Sequence, residues 1–280
     1  MDNLDLGKLD GQLLVFGGPY SNLAATLALR EKALSLEIPP DRIICTGDLV
    51  AYCGEPAETI DLIRDWGIPV VMGNCEESLG QDSDDCGCGF DEGSACSVLS
   101  VTWYQYANAL INAGQRRWMA DLPRAIDFQY AGFDFKVIHA GVSSINQFIF
   151  ASDSLANKDD QIKEAGVDVI IGGHSGIPFG QKIDDYYWLN AGVIGMPAND
   201  ASPEVWYMLL NPAEQGFTAT WHRLSYDYKQ SRTTTYSAGM TEYAGALVSG
   251  LWPSMDVLPD KERQQRGVRL EIEPLNVLRV

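Results

Sequence analysis

The chain has no apolar run long enough to cross a membrane, and its first residues carry no cluster of basic side chains. A spanning helix needs about 20 consecutive apolar residues, and no stretch of the sequence approaches that length. The segment from Met1 to Asp5 lacks the basic region of a secretory signal peptide. We therefore expect a cytoplasmic protein without a membrane partner.

Basic residues are also scarce, since 20 Lys and Arg face 38 Asp and Glu, for a formal net charge of −18 at pH 7. Such a charge repels a phosphate backbone unless a local basic patch overrides it. The basic stretches that do occur, Arg116-Arg117 and Lys261 to Arg266, are short or interrupted. The composition therefore argues against a nucleic-acid partner, and a small phosphorylated substrate would need a bound cation to attract it.

What the chain does have is enough length and apolar content for one large domain. With 280 residues and 46% hydrophobic side chains it can bury a substantial core. We predict a single domain over residues 1–280, with a C-terminal tail that begins at about residue 225. Residues 77–96 have no helical or strand period and carry Cys86, Cys88 and Cys96, which predicts a cysteine-bearing loop of functional rather than disordered character.

Four apolar runs are each followed, after a small residue or directly, by a side chain that can bind a metal. The runs Ile43 to Thr46, Val70 to Met72, Phe135 to Ile138 and Val169 to Ile171 precede Asp48, Asn74, His139 and His174. Such runs are typical of buried strands, and in an open α/β sheet ligands bind at the carboxyl ends of strands. The sequence therefore predicts that these four side chains meet at one rim.

The rest of the chain reads as alternating helices and strands. The first 75 residues spell strand, helix, strand, helix, strand, which implies parallel strands with right-handed crossovers. The predicted helices, including the two in this first part, cover residues 21–36 (with Ser21 as N-cap), 55–66, 98–111, 115–121, 154–165 and 236–249. Further predicted strands cover residues 125–130, 133–138, 167–171, 186–189, 205–210, 218–224 and 268–272.

The order of these motifs resembles that of the calcineurin-like metallophosphoesterases. That family shows, in chain order, an Asp-x-His, a Gly-Asp, a Gly-Asn-His-Asp/Glu, a His and a Gly-His-x-His. Gly47-Asp48, Gly73-Asn74-Cys75-Glu76, His139 and Gly173-His174 correspond to the last four blocks. The resemblance runs from about Leu13 to Gly195 and implies an α/β fold, a four-layer α/β/β/α sandwich.

The resemblance implies one complete metal site and one that has lost its ligands. Asp48, Asn74, His139 and His174 match the ligands of one metal, an N/O set suited to Fe, Zn or Mn. The second metal needs side chains at positions that here hold Gly18, Tyr20 and Gly176. We therefore expect a divalent or trivalent metal at one well-formed site.

The resemblance also implies a metal-dependent phosphoesterase, a phosphatase or phosphodiesterase. Asp48, Asn74 and His139 would then be catalytic. The position of the family's general acid is held by Cys75, so Cys75 and the adjacent Glu76 are both candidates for protonating the leaving group. Tyr20 as a hydrogen-bonding wall, Asn22 in the turn after the first strand, and Asn190 after a later strand are candidate substrate-binding residues.

Cysteines provide a second signal, because five of the six fall in connections near the predicted rim. In a reducing compartment cysteines serve metal or redox chemistry, or packing, more often than structural disulfides. One hypothesis places thiolates, with Cys75, Cys86 and Cys88 as further candidate ligands, in the space left by Gly18, Tyr20 and Gly176, or joins them as a redox-active pair. The alternative is that the loop is a lid whose cysteines only pack.

The sequence is also compatible with a different class of function. The same cleft could serve a non-hydrolytic protein that binds a metal or small molecule, or that carries out redox chemistry. Aromatic residues of the tail, such as Trp252, also leave open a homo-oligomer.

Overall fold

Two β-sheets stack face to face at the centre of the computed structural model, which describes residues 3–91 and 93–278. The strands are β1 (Leu4–Leu9), β2 (Leu13–Phe16), β3 (Ile43–Cys45), β4 (Ala125–Tyr130), β5 (Phe133–Ile138), β6 (Val169–Gly172), β7 (Phe179–Ile183), β8 (Tyr186–Asn190), β9 (Val205–Ala213), β10 (Gly216–Leu224) and β11 (Leu275–Leu278). One sheet has the order β1-β4-β5-β6-β8-β7 and the other β11-β10-β9-β2-β3.

Helices cover the outer face of each sheet. They are α1 (Leu23–Ser35), α2 (Pro56–Trp66), α3 (Asn74–Gly80), α4 (Ala95–Leu110), α5 (Ala113–Ala120), α6 (Leu155–Ala165), α7 (Tyr228–Ser237), α8 (Thr241–Ser249) and α9 (Asp260–Gln264). Within residues 3–91 and 93–278, no helix combines the length and apolarity that a membrane crossing requires.

Strand β2 shows why the sheets pack as they do. Leu13 and Val15 enter the core between the sheets, while Leu14 and Phe16 face the helical layer. Side chains alternate between the faces of a strand, so a strand covered on both sides must be apolar throughout. On the far side of the other sheet, Ile162 of α6 packs against Ile170 and Trp188. The predicted four-layer α/β/β/α sandwich is confirmed.

The predicted strand at Val70 to Met72 is only an extended segment. Val70 forms one parallel bridge with Cys45, and the N–H of Val71 donates to the carbonyl of Cys45 at 2.9 Å. Pro69 has no N–H to donate to a ladder, and α3 begins at Asn74. The segment is therefore too short to form a strand, although it still delivers Asn74 to the rim.

Three strands were not predicted from the sequence: β1, β7 and β11. The segment that forms β1 reads as a polar lead-in but pairs with β4 in parallel. Strand β7 contains Gly180, which strand patterns disfavour, and a side chain there would collide with the ring of Trp221. The glycine is needed because the ring lies directly over the strand.

The C-terminal part also departs from the prediction. The helix predicted over 236–249 corresponds to α8, and α7, which was not predicted, precedes it. Gly239, whose φ is +87°, separates the two helices. Residues 268–272 are not a strand, because the N–H of Leu270 donates to Asp200 and its carbonyl accepts from Arg223. The last strand is instead β11, which pairs with β10.

The segment predicted as a loop at 77–96 is partly helical. Helix α3 continues to Gly80, and α4 begins at Ala95 with Ser94 as its N-cap. Irregular backbone therefore occupies residues 81–91 and 93–94, and Glu92 lies outside the described residues.

Candidate metal centre

The four predicted ligands lie at the ends of neighbouring elements. Asp48 follows β3, His139 directly follows β5, His174 follows β6, and Asn74 is the first residue of α3. Asp48 and His174 have φ values of +58° and +37°, in the left-handed region that side chains rarely adopt. Such backbone outliers persist where the surrounding structure holds them in place and cluster at functional sites.

The ligand atoms of these residues converge. His139 Nε2 lies 3.1 Å from Asn74 Oδ1, 3.0 Å from His174 Nδ1 and 3.3 Å from Asp48 Oδ2. The Asp48 oxygen is also 3.7 Å from His174 Nδ1. All four residues are buried, with exposures of 1 to 8%. In the described part of the chain, the Asp48, His139 and His174 atoms form a group within 4.8 Å of one another.

Hydrogen bonds around the cluster leave lone pairs facing its centre. His139 Nδ1 lies 2.7 Å from the carbonyl oxygen of Thr46, which can only accept, so Nδ1 carries the proton of a neutral ring. The amide nitrogen of Asn74 donates to the carbonyl of Cys86 at 2.9 Å, which turns its oxygen toward His139. When His139 is neutral, three acceptor atoms, from Asp48, Asn74 and His139, thus meet without a proton between them. A cation satisfies all three, and the outer hydrogen bonds fix the ligands for it.

The pKa shifts within the buried cluster also show that the Asp48 carboxylate needs a positively charged partner. Burial by itself would raise the pKa of Asp48, but the neighbouring His139 and His174 outweigh it and hold that pKa well below its usual range. Burial would lower the pKa of His139, but the Asp48 carboxylate raises it above the usual value. Burial lowers the pKa of His174. Without a cation, a proton on His139 is therefore the group that compensates the carboxylate.

Glu76 has a structural task rather than a free carboxyl group. Its two oxygens accept backbone N–H groups from Asp48 at 2.7 Å, Leu49 at 2.8 Å and Gly73 at 2.9 Å. Burial and the Asp48 carboxylate raise its pKa to about 7. Because both oxygens are occupied and the side chain is fully buried, the geometry does not fit the leaving-group acid expected at this position. Glu76 instead ties the Asp48 turn to the start of α3.

The cysteines do not fill the space that the hypothesis assigned to them. Cys86 and Cys88 form a disulfide, so neither sulfur is a thiolate ligand in this state. Cys75 is a free, buried thiol whose pKa is raised well above its usual value by burial and by Asp48. The amide of Asn74 lies 3.4 Å from Cys88 Sγ and 3.5 Å from Cys75 Sγ. The sulfurs therefore surround the Asn74 amide, behind the ligand oxygen.

Aromatic and aliphatic side chains fill the place of the missing ligands instead. A Cβ on Gly18 would lie 2.5 Å from the ring of Tyr20, and a Cβ on Gly176 would lie 3.6 Å from Trp252 and from Val193. Tyr20 is itself 4% exposed and packs edge-on to Tyr52 at 4.8 Å. The positions that would carry the ligands of a neighbouring ion are thus flanked by Tyr20, Val193 and Trp252.

The two asparagines predicted to bind substrate are fully engaged in holding the fold. Asn22, with no exposed surface, donates to Gly195 O and Tyr226 OH and accepts from Ala25 N and Ser231 Oγ. It is also the N-cap of α1, the place predicted for Ser21. No donor or acceptor of Asn22 remains for a substrate, so the structure contradicts that role.

Asn190 braces the turn that carries His174. Its amide donates to Gly173 O at 2.8 Å and Ser175 Oγ at 3.0 Å, and its side-chain oxygen accepts from Gly192 N at 2.8 Å. Gly173 and Ser175 flank His174 in sequence, and Asn190 is 1% exposed. It therefore positions a ligand and does not meet a substrate.

The roles of some residues in the site could not be predicted from any motif in the sequence. Thr46 orients His139 through its backbone carbonyl, which no side-chain pattern reveals. Phe148 lies with its ring centroid 4.3 Å from that of His174, and Trp252 lies over Gly176. Both aromatics come from segments distant in sequence, so only the folded structure brings them here.

Comparison with known proteins supports the family resemblance. Residues 22–214 match the family model described as the calcineurin-like phosphoesterase superfamily domain. An uncharacterized protein of Methanocaldococcus jannaschii is 26% identical over 251 residues, covering 83% of this chain and 95% of that protein.

Two solved structures share the fold. A metallophosphoesterase from Sphaerobacter thermophilus aligns with a TM-score of 0.67 and 19% identity, over 87% of this chain and 100% of that one. A hypothetical protein from Pyrococcus horikoshii aligns with a TM-score of 0.71 and 13% identity, over 86% and 99%.

Proposed function

Because the chain belongs to the calcineurin-like phosphoesterase superfamily, we propose that it hydrolyses a phosphate ester with a single metal ion. Asp48 Oδ2, Asn74 Oδ1, His139 Nε2 and His174 Nδ1 hold the ion. Two imidazole nitrogens and two oxygens suit Zn, Fe or Mn. The observation that carries this proposal is the meeting of acceptor atoms around His139 Nε2, at 3.0 to 3.3 Å, with its Nδ1 proton directed to Thr46.

The bound metal ion would supply two things: a more acidic coordinated water and an electrophile for the phosphoryl oxygen. The residues of the chain supply orientation. Thr46 and Cys86 fix His139 and Asn74, and Glu76 fixes the backbone of Asp48. Burial keeps water from screening these groups, so each acts more strongly on the substrate than it would at the surface.

The use of one ion rather than two rests on the replaced positions. Gly18 and Gly176 have no side chain to offer, and Tyr20 is packed against Tyr52. The pKa of Tyr20 is raised well above its usual value by burial and by Asp48, so the phenol keeps its proton. A neutral phenol is a hydrogen-bonding group and a poor metal ligand.

Metal content and turnover of the same samples test the proposal. We expect one Zn, Fe or Mn per chain by plasma mass spectrometry, and hydrolysis of p-nitrophenyl phosphate or its bis ester. Asp48→Asn should lower turnover by at least about 100-fold, because removing a ligand costs no less than disturbing an outer-shell partner. The matched control is Asp41→Asn, which makes the same change at an exposed residue.

Two results would count against hydrolysis. One is full metal loading with no turnover of either ester, which favours the binding-protein alternative. The other is equal activity in Asp48→Asn and Asp41→Asn, which places the reaction elsewhere. Two ions per chain would refute only the single-ion part.

The disulfide supports a second candidate function, redox chemistry. In this alternative the Cys86–Cys88 bond breaks as a dithiol reductant supplies two electrons and two protons; the reductant becomes a disulfide and the chain gains two thiols. Alkylation and mass measurement after equilibration with graded dithiothreitol would show a reversible two-thiol change. Failure of the native protein to take up these electrons would remove this candidate, and Cys86→Ser is the control that cannot form the bond.

A further inference from the structure

Cys86, Gly87 and Cys88 form a turn that a disulfide closes and that lies against the metal centre. The Cys86–Cys88 bond completes a small covalent ring, and this ring includes the carbonyl carbons of Cys86 and Gly87. The ring therefore restricts the directions in which both carbonyl oxygens point. Glycine loses more conformational freedom than any other residue when it is fixed, so the bond removes freedom that the open turn would have.

Each of these two oxygens holds an asparagine side chain. Cys86 O accepts from the amide of Asn74 at 2.9 Å, and Asn74 Oδ1 lies 3.1 Å from His139 Nε2 on the side of the cluster. Gly87 O accepts from the amide of Asn146 at 3.0 Å. A side-chain amide has an acceptor at one end and a donor at the other. The bond to Cys86 therefore decides which end of Asn74 faces the ion.

The same turn borders a second ligand, His174. Phe148, two residues after Asn146, covers the imidazole with 4.3 Å between ring centroids. Phe90, two residues after Cys88, stacks on Phe148 at 6.2 Å. The backbone of Cys88 also lies beside His174, where it opposes the lowering of the His174 pKa that burial causes. The disulfide-closed turn therefore contacts one ligand directly and packs around another.

Opening the disulfide would give the Asn74 amide a competing partner. Cys88 Sγ already lies 3.4 Å from Asn74 Nδ2, and a free thiol can rotate about its Cα–Cβ bond. The ring would also cease to hold Cys86 O in place, so the Asn74 oxygen would lose its fixed direction toward the ion. Disturbing a group that orients a metal ligand usually lowers metal affinity by about 10- to 100-fold.

We propose, relying on the metal centre of the proposed function, that the disulfide-closed turn positions Asn74 for the ion and that reduction of the Cys86–Cys88 bond weakens metal binding. On reduction the S–S bond breaks and two thiols form. Two molecules of glutathione supply the two electrons and two protons and become one glutathione disulfide. The three residues of the turn act through Asn74, so the affinity of the centre responds to thiol redox conditions.

The affinity for Mn²⁺ in the two redox states tests this proposal. Thiols bind this hard ion poorly, so the freed cysteines compete little for it, and electron paramagnetic resonance measures the unbound Mn²⁺. Alkylation and mass measurement confirm the state of each sample. We expect the oxidised protein to bind Mn²⁺ at least about 10-fold more tightly than the reduced protein, and reoxidation by glutathione disulfide to restore the affinity. Equal affinities, or tighter binding after reduction, would overturn the proposal.

Thermodynamic linkage provides a second measurement. If the disulfide form binds the ion more tightly by some factor, the ion favours the disulfide form by the same factor. In glutathione buffers of graded composition, saturating Mn²⁺ should therefore lower the midpoint potential of the Cys86–Cys88 pair. The expected shift is about 30 mV for each tenfold difference in affinity. A midpoint that does not change with Mn²⁺ would contradict the coupling.

Cysteine variants provide the matched comparison. Cys86→Ser combined with Cys88→Ser removes the bond and should bind Mn²⁺ as weakly as the reduced protein, with or without reductant. Cys96→Ser is the control, because it makes the same exchange at a free, partly buried cysteine of α4, and it should keep both the affinity and the response to reductant. A double variant with the affinity of the oxidised protein would contradict the assignment. If that variant folds poorly, the two redox states of the wild-type protein decide, since they need no substitution.

These outcomes separate this inference from the proposed function. If the hydrolase proposal fails but the turn has the proposed role, Mn²⁺ affinity still depends on the disulfide in a protein without turnover. If the positioning role fails, metal binding and hydrolysis are the same in both redox states. Failure of Mn²⁺ to bind in either state would overturn this inference, whereas hydrolysis with Zn or Fe would stand.

Discussion

Replacing Glu76 by Gln removes one charge and keeps the shape of the side chain. Oε2 of Glu76 accepts two backbone N–H groups, from Asp48 and Gly73, and Oε1 accepts one from Leu49. A glutamine has only one oxygen, so in either orientation its NH₂ group faces at least one of these N–H donors. At least one buried donor is then left without an acceptor.

The expected loss of unfolding free energy is about 2 kcal/mol. An orphaned buried donor costs about 1–3 kcal/mol, and the remaining bonds lose their charge assistance. Relief of the repulsion between Glu76 and Asp48, which contributes to the raised pKa of about 7, offsets part of this. For a chain of this size the loss corresponds to a fall in Tm of about 4–8 °C.

The metal centre should weaken in parallel. Because the displaced turn carries Asp48, we expect metal affinity to fall by about 10- to 100-fold, the usual effect of disturbing a residue behind a ligand. Calorimetric unfolding and competition with a metal chelator measure the two effects separately. The control is Glu58→Gln, the same exchange at an exposed residue of α2.

One result would refute this reasoning about Glu76. If Glu76→Gln kept its Tm and metal affinity but lost turnover, the carboxyl group would be acting as a proton donor, as the sequence suggested, and not as an anchor for backbone N–H groups.

Three further outcomes follow from particular contacts. The metal-free protein should lose stability as the pH rises above about 6.5. The reason is that the pKa of His139 is raised, and its protonated form, paired with Asp48, stabilises the fold at lower pH. Thermal unfolding measures this loss, and saturating metal should make the Tm less dependent on pH. Lys158→Met should lower the unfolding free energy by about 3 kcal/mol in urea, since three partly buried oxygens lose their shared donor, while Lys163→Met should change nothing measurable. Asn22→Ala should cost about 3 kcal/mol through its lost hydrogen bonds and helix cap with KM unchanged, and an altered KM at full stability would restore its substrate role.

The convergence of the four ligands could be predicted because it depends on local features. A buried apolar run followed by a small residue and a polar side chain predicts a strand end. The parallel neighbours β5 and β6 bring His139 and His174 to one edge of their sheet, whereas Asp48 follows β3 of the other sheet. Asp48 and His139 each follow such a run directly or by a short turn. The order of the motifs then indicates which strand ends share the rim, even though Val70 to Met72 is not a regular strand.

The roles of the surrounding polar residues could not be predicted, because their partners are distant in sequence. Asn22 bonds to Gly195 and Ser231, which lie 173 and 209 positions away. The sequence shows that Asn22 follows a glycine-rich turn, a place where phosphate can bind, but does not show that its hydrogen bonds are already used. Side-chain hydrogen bonding depends on tertiary packing, and the packing is specified by the whole chain.

The segment from Gly18 to Ser21 offers no side chain at the positions where the family holds a second metal, but it supports the turn that carries Asp48. Gly18 N donates to Gly47 O, Tyr20 N to Asp48 O and Ser21 N to Leu49 O, at 2.8 to 3.2 Å. Tyr20 and Ser21 adopt φ values of +49° and +58°, a conformation that costs about 1–2 kcal/mol for each L-residue. Three backbone hydrogen bonds to the turn that carries Asp48 offset this cost. Glu76 holds the same turn from its other side. The first turn therefore acts as a brace: without it, the turn from Gly47 to Leu49 would lose these three hydrogen bonds and keep the two that Glu76 accepts from Asp48 N and Leu49 N.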